Sequence, residues 1–581
     1  FIRFQWSEWK LSQLVFDIET NGLNPSIIWC ICGIKDDKMF TLEMPDKQTW
    51  ECLMEGVTEV IGHNIIRYDI PVVERLLDVS IDCKITDTLV MSRLYNPQLE
   101  GGHSLAAWGE RLKFPKGDYH DWSALTPEMV EYCQQDVRVT ECLYQTLKQE
   151  LAPFGTDSIN LEHSVQTAIA TQITNGWLLD ERKATDLVAQ LQEKQNDLEE
   201  AVHEKFRPLP TFVKEIVPKY KKDGSLSTVG LKFLGDKWTQ VDGTFSRIDW
   251  PEFNLGSRQQ IGRYLRLFGW KPEKFTETGQ AIVDEKTLET VTDIPEAQLI
   301  AEYLMVGKRI AQVQSWLEAI EDDGRVHGQV NACGAVTGRM THSKPNMAQV
   351  PAVGAPYGYE CRACWVVPDG HQLVGIDASG LELRMLAHYM DDKEYTNEII
   401  NGDIHTTNQR NAGLSTRAQA KTFIYAFLYG AGDAKIGSIV DGSQRTGARL
   451  RQRFLDNTPA LAELREKVSL ASQRGHLRGL DGRCLHIRSE HSALNTLLQS
   501  AGAVVMKKAL QIFTDYAPKW NLTYKLLGSI HDEYQIEAPE DQADKVGWLM
   551  VECIKAAGVA LDLKCPLDGE YKVGNNWAET H

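Results

Sequence analysis

Two groups of carboxylates, far apart in the chain, are the residues most able to do chemistry. LVFDIET (Leu14 to Thr20) reads as a buried strand, and residues two apart share a strand face, so Asp17 and Glu19 point the same way. Paired acids on an otherwise apolar strand repel each other and resist desolvation unless a cation sits between them. A strand end open to water would relieve them as well. Further on, IGHNIIRYDIPVVERL sets Asp69 just after Asn64 and Tyr68, at the start of a helical run. TPEMVEYCQQDVRVTECL opens with the helix-starting Thr126-Pro127-Glu128 and places Tyr132 and Asp136 four apart on one face. The second group begins with VGIDASGLELR (Val374 to Arg384), an apolar strand ending on Asp377. KLLGSIHDEYQIEA (Lys525 to Ala538) reads as two strands around a turn that bears His531, Asp532 and Glu533. Between them, STRAQAKTFIYAFLYGAGD predicts a helix whose Arg417, Lys421, Tyr425 and Tyr429 form one polar stripe, with Phe423, Ile424, Phe427 and Leu428 on other faces. A salt-bridged surface helix would give the same stripe.

The first set, four carboxylates and a tyrosine, resembles the DEDDy family of 3′→5′ exonucleases. The resemblance implies that Asp17, Glu19 and Asp136 hold one divalent ion, that Asp17 and Asp69 touch a second, and that Tyr132 orients the attacking water. Oxygen donors suit Mg²⁺ or Mn²⁺. Two ions about 4 Å apart would supply a nucleophilic hydroxide and relieve charge on the leaving oxygen.

The second set resembles the A, B and C motifs of family A DNA polymerases: DASGLELR, RxxxKxxxYxxxYG and HDE. By that resemblance Asp377 and Asp532 hold two Mg²⁺ ions with the Ala378 carbonyl as a further ligand, and Glu533 is a neighbouring acid. Arg417, Lys421 and His405 (in GDIHTTN) would grip the incoming triphosphate. Tyr425, beside Tyr429, would stack on the nucleotide, and Glu382 would crowd the sugar 2′ position, which disfavours an RNA polymerase. GAVTGRMTHSKPNMAQVP is similar to the TGR…PN…Q…P segment of the family and offers Arg339 to the primer-template. GLDGRCLHIRS and ALNTLLQSAGA offer Arg483 and Gln499; the latter matches a reader of minor-groove acceptors, which check pairing geometry rather than sequence. FNLGSRQQIGRYL, with Asn254, Ser257 and Arg258, resembles the segment of the thumb that clasps the duplex backbone.

Combined with the exonuclease, these strings look most like the T-seven-type bacteriophage branch of the family. The branch implies a replicative enzyme in the host cytoplasm, working on primer-template DNA and dNTPs with a helicase-primase and a single-strand-binding protein. Only ten or so residues precede the first exonuclease strand, so no 5′-nuclease domain is expected there. In this branch an insertion in the thumb recruits host thioredoxin as a processivity factor. Here the segment Phe206 to Trp250 looks short and does not match. Its Lys214, Lys219, Lys221, Lys222, Lys232 and Lys237 beside Tyr220, Phe233 and Trp238 read either as a solvated loop subdomain or as a surface for DNA or a protein partner.

The elements that must position these residues fall into an α/β order. The fold implied is a ribonuclease-H-like exonuclease domain over 1–155, a thumb over 156–330 with its insertion at about 206–250, and palm and fingers over 331–581, a right-hand arrangement. The 581 residues fit about four structural units at roughly 150 residues each. With 43% apolar and 24% charged residues, the composition is that of folded protein rather than a disordered tail. No run approaches the ~18 apolar residues of a membrane helix, and no basic-then-apolar leader opens the chain, which begins on Phe1. The net charge of −18 argues against a binder that works by overall charge, but a basic cleft can coexist with an acidic exterior. Twelve scattered cysteines indicate reduced thiols inside a cell, and Cys361 and Cys364, the one CxxC, read as packing. Tyr429-Gly430-Ala431-Gly432 is not a dinucleotide fingerprint, because it ends a helix and Lys435 takes the position of the last glycine. The competing readings are a dedicated exonuclease on a polymerase-like DNA-binding body, against which Asp377, Asp532, Arg417 and Lys421 together speak, and a non-catalytic DNA scaffold, which metal-dependent turnover would eliminate.

Overall fold

The computed structural model describes residues 12–581; the stretch 1–11, counted above in the first domain, lies outside the described residues. A five-stranded sheet is built from β1 (Ser12–Thr20), β2 (Ile28–Lys35), β3 (Lys38–Glu43), β4 (Val57–Gly62) and β5 (Lys84–Asp87) in the order β3-β2-β1-β4-β5. The central strand β1 runs antiparallel to β2 and parallel to β4, the ribonuclease-H-like arrangement. Its two-residue period sends Leu14, Phe16 and Ile18 into one core with Trp50 and Val60, and Val15 into another on the opposite face. Asp17 and Glu19 share the face of Val15. Helix α1 (Asp69–Leu77) follows β4, and α2 (Pro127–Leu151) packs on the Val15 face through Cys133, Val137 and Leu143. Thr126 caps α2 by accepting from the Met129 amide at 3.1 Å, and Pro127 stands in its first turn, where a missing N–H costs nothing.

Helix α3 (Asp157–Asn175) falls at the start of the range expected for a thumb. Its Leu161, Val165 and Ile169 join the core that also contains Val374 and Ile376, so the helix is part of the same compact unit as the second carboxylate group. The described residues divide into that unit, which runs to Leu179 and resumes at Ala319, and a second formed by Asp180–Glu318. The second unit lies inside the range 156–330 expected for a thumb.

Within Asp180–Glu318, α4 (Glu181–Lys205) is capped by Asp180, whose side chain accepts from the Lys183 amide at 3.0 Å. The insertion is not a bare loop: β6 (Thr211–Ile216) and β7 (Phe245–Asp249) form an antiparallel pair with Thr211 opposite Asp249. α5 (Arg258–Leu267) and α6 (Pro295–Leu317) complete this unit, around Phe206, Phe253, Tyr264, Leu265 and Ile300.

The elements around the second carboxylate group include β8 (His371–Ala378), α7 (Leu381–Met390), α8 (Ile404–Ala412), α9 (Arg417–Leu428), α10 (Glu490–Tyr516), β9 (Lys525–Ile530), β10 (Glu533–Pro539), α11 (Ala543–Ala560) and β11 (Gly569–Gly574). The sheet is antiparallel in the order β9-β10-β8-β11. α10 and α11 supply Val504, Val546, Met550 and Ile554 to the core beneath it. A capping box between Thr416 and Gln419 starts α9, and Gly430 follows its end at φ +74°, where a Cβ would lie 2.7 Å from the His491 carbonyl oxygen. Among the described residues no helix is long and apolar enough to cross a membrane.

Candidate active sites

β8 places Asp377 opposite Glu533 of β10 on one side and Glu570 of β11 on the other. The Ala378 amide donates to the Asp532 carbonyl at 3.1 Å, which fastens the Asp532 turn to the end of β8. His531 takes a left-handed conformation, φ 59°, to make that turn. Burial pushes the Asp377 carboxyl up to about 7, and Asp532, Glu533 and Glu570 add to the rise. Such crowding is what a hard cation would relieve, and the donors here are carboxylates with the Ala378 carbonyl close by. Glu533 has partners of its own: it is 7% exposed and accepts from Trp577 Nε1 at 2.7 Å and Gln535 Nε2 at 2.6 Å, with His581 Nδ1 at 3.1 Å. Burial would raise its pKa, but His581, Trp577 and Arg362 hold it below the usual range. Glu570, Trp577 and His581 escaped the sequence reading. Strand alternation in GEYKVG was the one available signal, and it pointed only to Glu570.

On α9 the apolar positions Phe423, Ile424, Phe427 and Leu428 are buried, whereas Arg417, Lys421 and Tyr429 are exposed and Tyr425 is half-buried. Arg417 is already engaged, donating to Asp403 at 2.7 and 3.1 Å. The His405 ring lies 6.4 Å from that of Tyr425, and its buried Nδ1 has no hydrogen-bond partner among the described residues. Tyr429 donates to Glu382 at 3.0 and 2.9 Å, and Arg339 stands 3.4 Å from the same carboxylate. The stripe thus meets the first turn of α7, just beyond the Asp377 strand, and burial raises Tyr425 with help from the charges of Glu382 and Asp532.

Of the expected DNA contacts, Gln499 is half-buried on α10. Arg483 is a correction. It is 2% exposed, its guanidinium lies 2.7 Å from both Glu162 and Asp481, and Lys507 shares Glu162 at 2.5 Å. The Arg483 guanidinium is thus committed to two carboxylates inside the protein, and Lys507, through the shared Glu162, ties α10 to α3. In the Asp180–Glu318 unit, Asn254 and Arg258 are exposed, while Ser257 caps α5 by accepting from the Gln260 amide at 3.4 Å. Asn254 accepts from the Gly256 amide at 2.8 Å, and Arg258 donates to the Val283 carbonyl.

In the exonuclease-like sheet, ligand atoms of Asp17 and Glu19 lie within 4.8 Å of each other. Burial raises Asp17 well above the usual carboxylate range, and the charges of Asp69, Asp136 and Glu19 raise it further. Burial lifts Glu19 to about 8 and Asp69 to about 7. The Asp136 Oδ1 atom is buried with no hydrogen-bond partner among the described residues, an orphan that fits a cation site. The other Asp136 oxygen accepts from Lys116, whose Nζ also lies 4.7 Å from the centre of the Tyr132 ring. Tyr119 and Trp122 flank Tyr132 at 5.7 and 5.8 Å between ring centres. Lys116 sits in a loop without periodicity and carried no signal in the sequence.

Residues 232–579 match the model of DNA polymerase family A. The chain belongs to that family. It is similar to the DNA-directed DNA polymerases of Enterobacteria phage T3 and Escherichia phage T7, each 34% identical over 98% of this chain and 100% of the relative. It is also similar to DNA polymerase I of Caldicellulosiruptor bescii, 29% identical over 64% of this chain and 47% of the relative. A solved structure described as the POL domain of Pol1 from M. smegmatis in complex with DNA primer-template and dNTP superposes with a TM-score of 0.78 at 18% identity, covering 98% of this chain and 96% of that one, a likeness of fold. Family A polymerases use divalent metal ions, and both carboxylate groups of this member suit them.

Proposed function

We propose that the chain is a replicative DNA-dependent DNA polymerase that extends a primer with dNTPs and proofreads through a 3′→5′ exonuclease site. The observation that carries this reading is the hydrogen bond from Tyr429 to Glu382, which ties the end of the polar stripe of α9 to the first turn of α7, the helix that directly follows the strand bearing Asp377. Asp377, Asp532 and the Ala378 carbonyl would hold two Mg²⁺ ions, and Asp17, Glu19, Asp69 and Asp136 two more, with Mn²⁺ able to substitute. When bound, such ions lower the pKa of the attacking hydroxyl and neutralise charge on the leaving oxygen.

The side chains do the rest. Arg417, Lys421 and His405 bind the triphosphate, and Arg417 exchanges Asp403 for phosphate oxygens as it does so. Tyr425 stacks on the incoming base, Glu382 excludes a 2′-hydroxyl, and Glu533, held by Trp577 and His581, keeps the Asp377 face in place. Arg339 and Gln499 contact the primer-template, and Asn254, Ser257 and Arg258 belong to the segment that follows its backbone. At the second site Tyr132 orients the attacking water. A mispaired primer end melts more easily, so unpairing supplies the selectivity for proofreading.

The enzyme would act in the host cytoplasm beside a helicase-primase and a single-strand-binding protein. Its insertion is suited to a processivity partner, thioredoxin or another protein: Phe212, Tyr220, Ile248 and Trp250 are exposed there beside exposed Lys219, Lys221 and Lys222. Extension of a primed single-stranded template with the four dNTPs, with and without thioredoxin, tests the reading. Folded protein that fails to extend at any divalent-cation concentration would refute it.

A further inference from the structure

Behind Asp17, on the covered face of the exonuclease-like sheet, lie three cysteines that the proposed activities do not use. Cys30 and Cys32 are two apart on β2 and so share a face; Cys133 comes from α2, which packs on that face. All three are 0% exposed, and their sulfurs lie within 4.8 Å of one another. Sulfurs held at ~2.3 Å from a common tetrahedral ion are about 3.8 Å apart, so the three need little adjustment to share one.

Two oxygens on the rim distinguish the cluster from ordinary core packing. Thr41 Oγ1 lies 3.6 Å from the Cys32 sulfur, and Asp17 Oδ2 lies 3.8 Å from the Cys133 sulfur. Cys133 also donates to the Asp17 carbonyl oxygen at 3.5 Å. Its sulfur belongs to two candidate ligand groups at once, one with Cys30 and Cys32 and the other with Asp17 and Glu19. Asp17, the partly open member, gives the cluster its edge toward the carboxylate site.

We propose that Cys30, Cys32 and Cys133 form a binding site for a thiophilic d¹⁰ divalent cation such as Zn²⁺, with Asp17 at its rim. Loading releases thiol protons to solvent as the sulfurs become thiolate ligands, and oxidises nothing. Thiolates select against Mg²⁺, so this site and the carboxylate site discriminate by ligand softness although they are adjacent. An ion there draws on Asp17 and slows degradation of single-stranded DNA while leaving extension unchanged. This consequence rests on the proofreading role of Asp17; the binding itself does not.

The test is titration of the full chain with Cd²⁺ under reducing conditions, followed by the ultraviolet sulfur-to-cadmium charge-transfer band, by single-strand degradation and by primer extension. One saturable equivalent is expected, its band lost in Cys32→Ser and in Cys133→Ser and kept in Cys52→Ser and Cys142→Ser, whose parent cysteines are exposed. Wild-type degradation of single-stranded DNA by each variant before Cd²⁺ is added shows that the cysteine-bearing sheet is intact, and Cys30→Ser replaces any variant that fails. No band, or a band unaltered in Cys32→Ser and Cys133→Ser, overturns the site. A band with unimpaired degradation by a chain that Asp17→Ala inactivates overturns the link to Asp17, whereas a chain that never degrades DNA refutes the proofreading reading instead.

Discussion

The Tyr429 hydroxyl donates to both oxygens of Glu382, at 3.0 and 2.9 Å, and so fixes a carboxylate in the first turn of α7 from the end of α9. Gly380, at φ +60°, lets the chain turn from β8 into that helix within three residues of Asp377. With a nucleotide stacked on Tyr425 as proposed, a carboxylate held there would leave no room for a hydroxyl at C2′. Glu382→Ala should raise ribonucleotide incorporation relative to dNTP by about tenfold or more, since ~1.4 kcal/mol of lost overlap is already tenfold. Tyr429→Phe leaves the carboxylate in place without its tether and should relax selectivity less. Competition between rNTP and dNTP at one template position measures both. Wild-type discrimination in Glu382→Ala would show that the gate lies elsewhere.

Tyr425 lies between the rings of His405 and Tyr429, at 6.4 and 6.3 Å. Its phenol can take up interactions left vacant by an absent 3′-hydroxyl, which a phenyl ring cannot. Tyr425→Phe should therefore sharpen rejection of dideoxynucleotides and retain normal extension. The ratio of chain termination to extension at equal nucleotide concentration reports it, and an unchanged ratio counts against this placement of the sugar.

The two carboxylate groups stand on separate sheets, so their activities should separate. Asp17→Ala with Glu19→Ala should abolish degradation of single-stranded DNA and leave extension within about threefold; Asp532→Ala should do the reverse. Losing one divalent-ion site removes several kcal/mol of transition-state stabilisation, or about 10³-fold or more in rate. A folded Asp17→Ala protein unable to extend would contradict the assignment of two sites.

The elements that carry these groups were legible because their signals are local. Alternation in LVFDIET, the Thr126-Pro127 start of α2 and the four-residue stripe of α9 each follow from strand or helix periodicity acting within a few residues. Arg483 was misread because a motif marks a position and says nothing of what surrounds it; Glu162 and Lys507, which enclose it, lie far away in sequence. The apolar face of α3 likewise does not announce which core it joins. Lys116 and Asp403 could not have been read either, because the pairings with Asp136 and Arg417 exist only once the chain is folded.

Lys116 gives a test of that long-range electrostatics. Burial raises the Asp136 carboxyl, and Lys116, ion-paired to it, opposes the rise. Removing the ammonium in Lys116→Ala lets the pKa climb, so the carboxylate is protonated at a pH where it was charged before. A protonated acid holds a cation poorly, and the acidic limb of the exonuclease pH–rate profile should move to higher pH. Lys116→Arg keeps the charge and should leave the limb close to its original position. Rates of single-strand degradation across pH, with extension as the control for folding, decide it; superimposable limbs for Lys116→Ala and wild type would mean that the pair does not bear on the reaction.

The insertion allows a cut that the sheet itself defines. Thr211 stands opposite Asp249 at the open end of the β6–β7 pair, so replacing residues 212–248 by a short Gly-Ser bridge joins neighbours and need not disturb α4 or α5. The removed part holds exposed Phe212, Val217, Tyr220 and Ile248 with exposed Lys214, Lys219, Lys221 and Lys222, a surface able to bury apolar area against a partner and to meet phosphate as well. Trp238 is only half-buried in the same segment. The deletion should shorten the product made per binding event, by about tenfold if a processivity partner is lost and by a salt-dependent amount if only the phosphate contacts of the six exposed lysines are lost. Single-nucleotide insertion should be spared. Product length under single-encounter conditions, with and without added thioredoxin and at two salt concentrations, separates the two: a partner's effect appears only when the partner is present, whereas a phosphate effect fades as salt rises. Equal product length with and without the segment, under every one of these conditions, would leave the insertion no part in processivity.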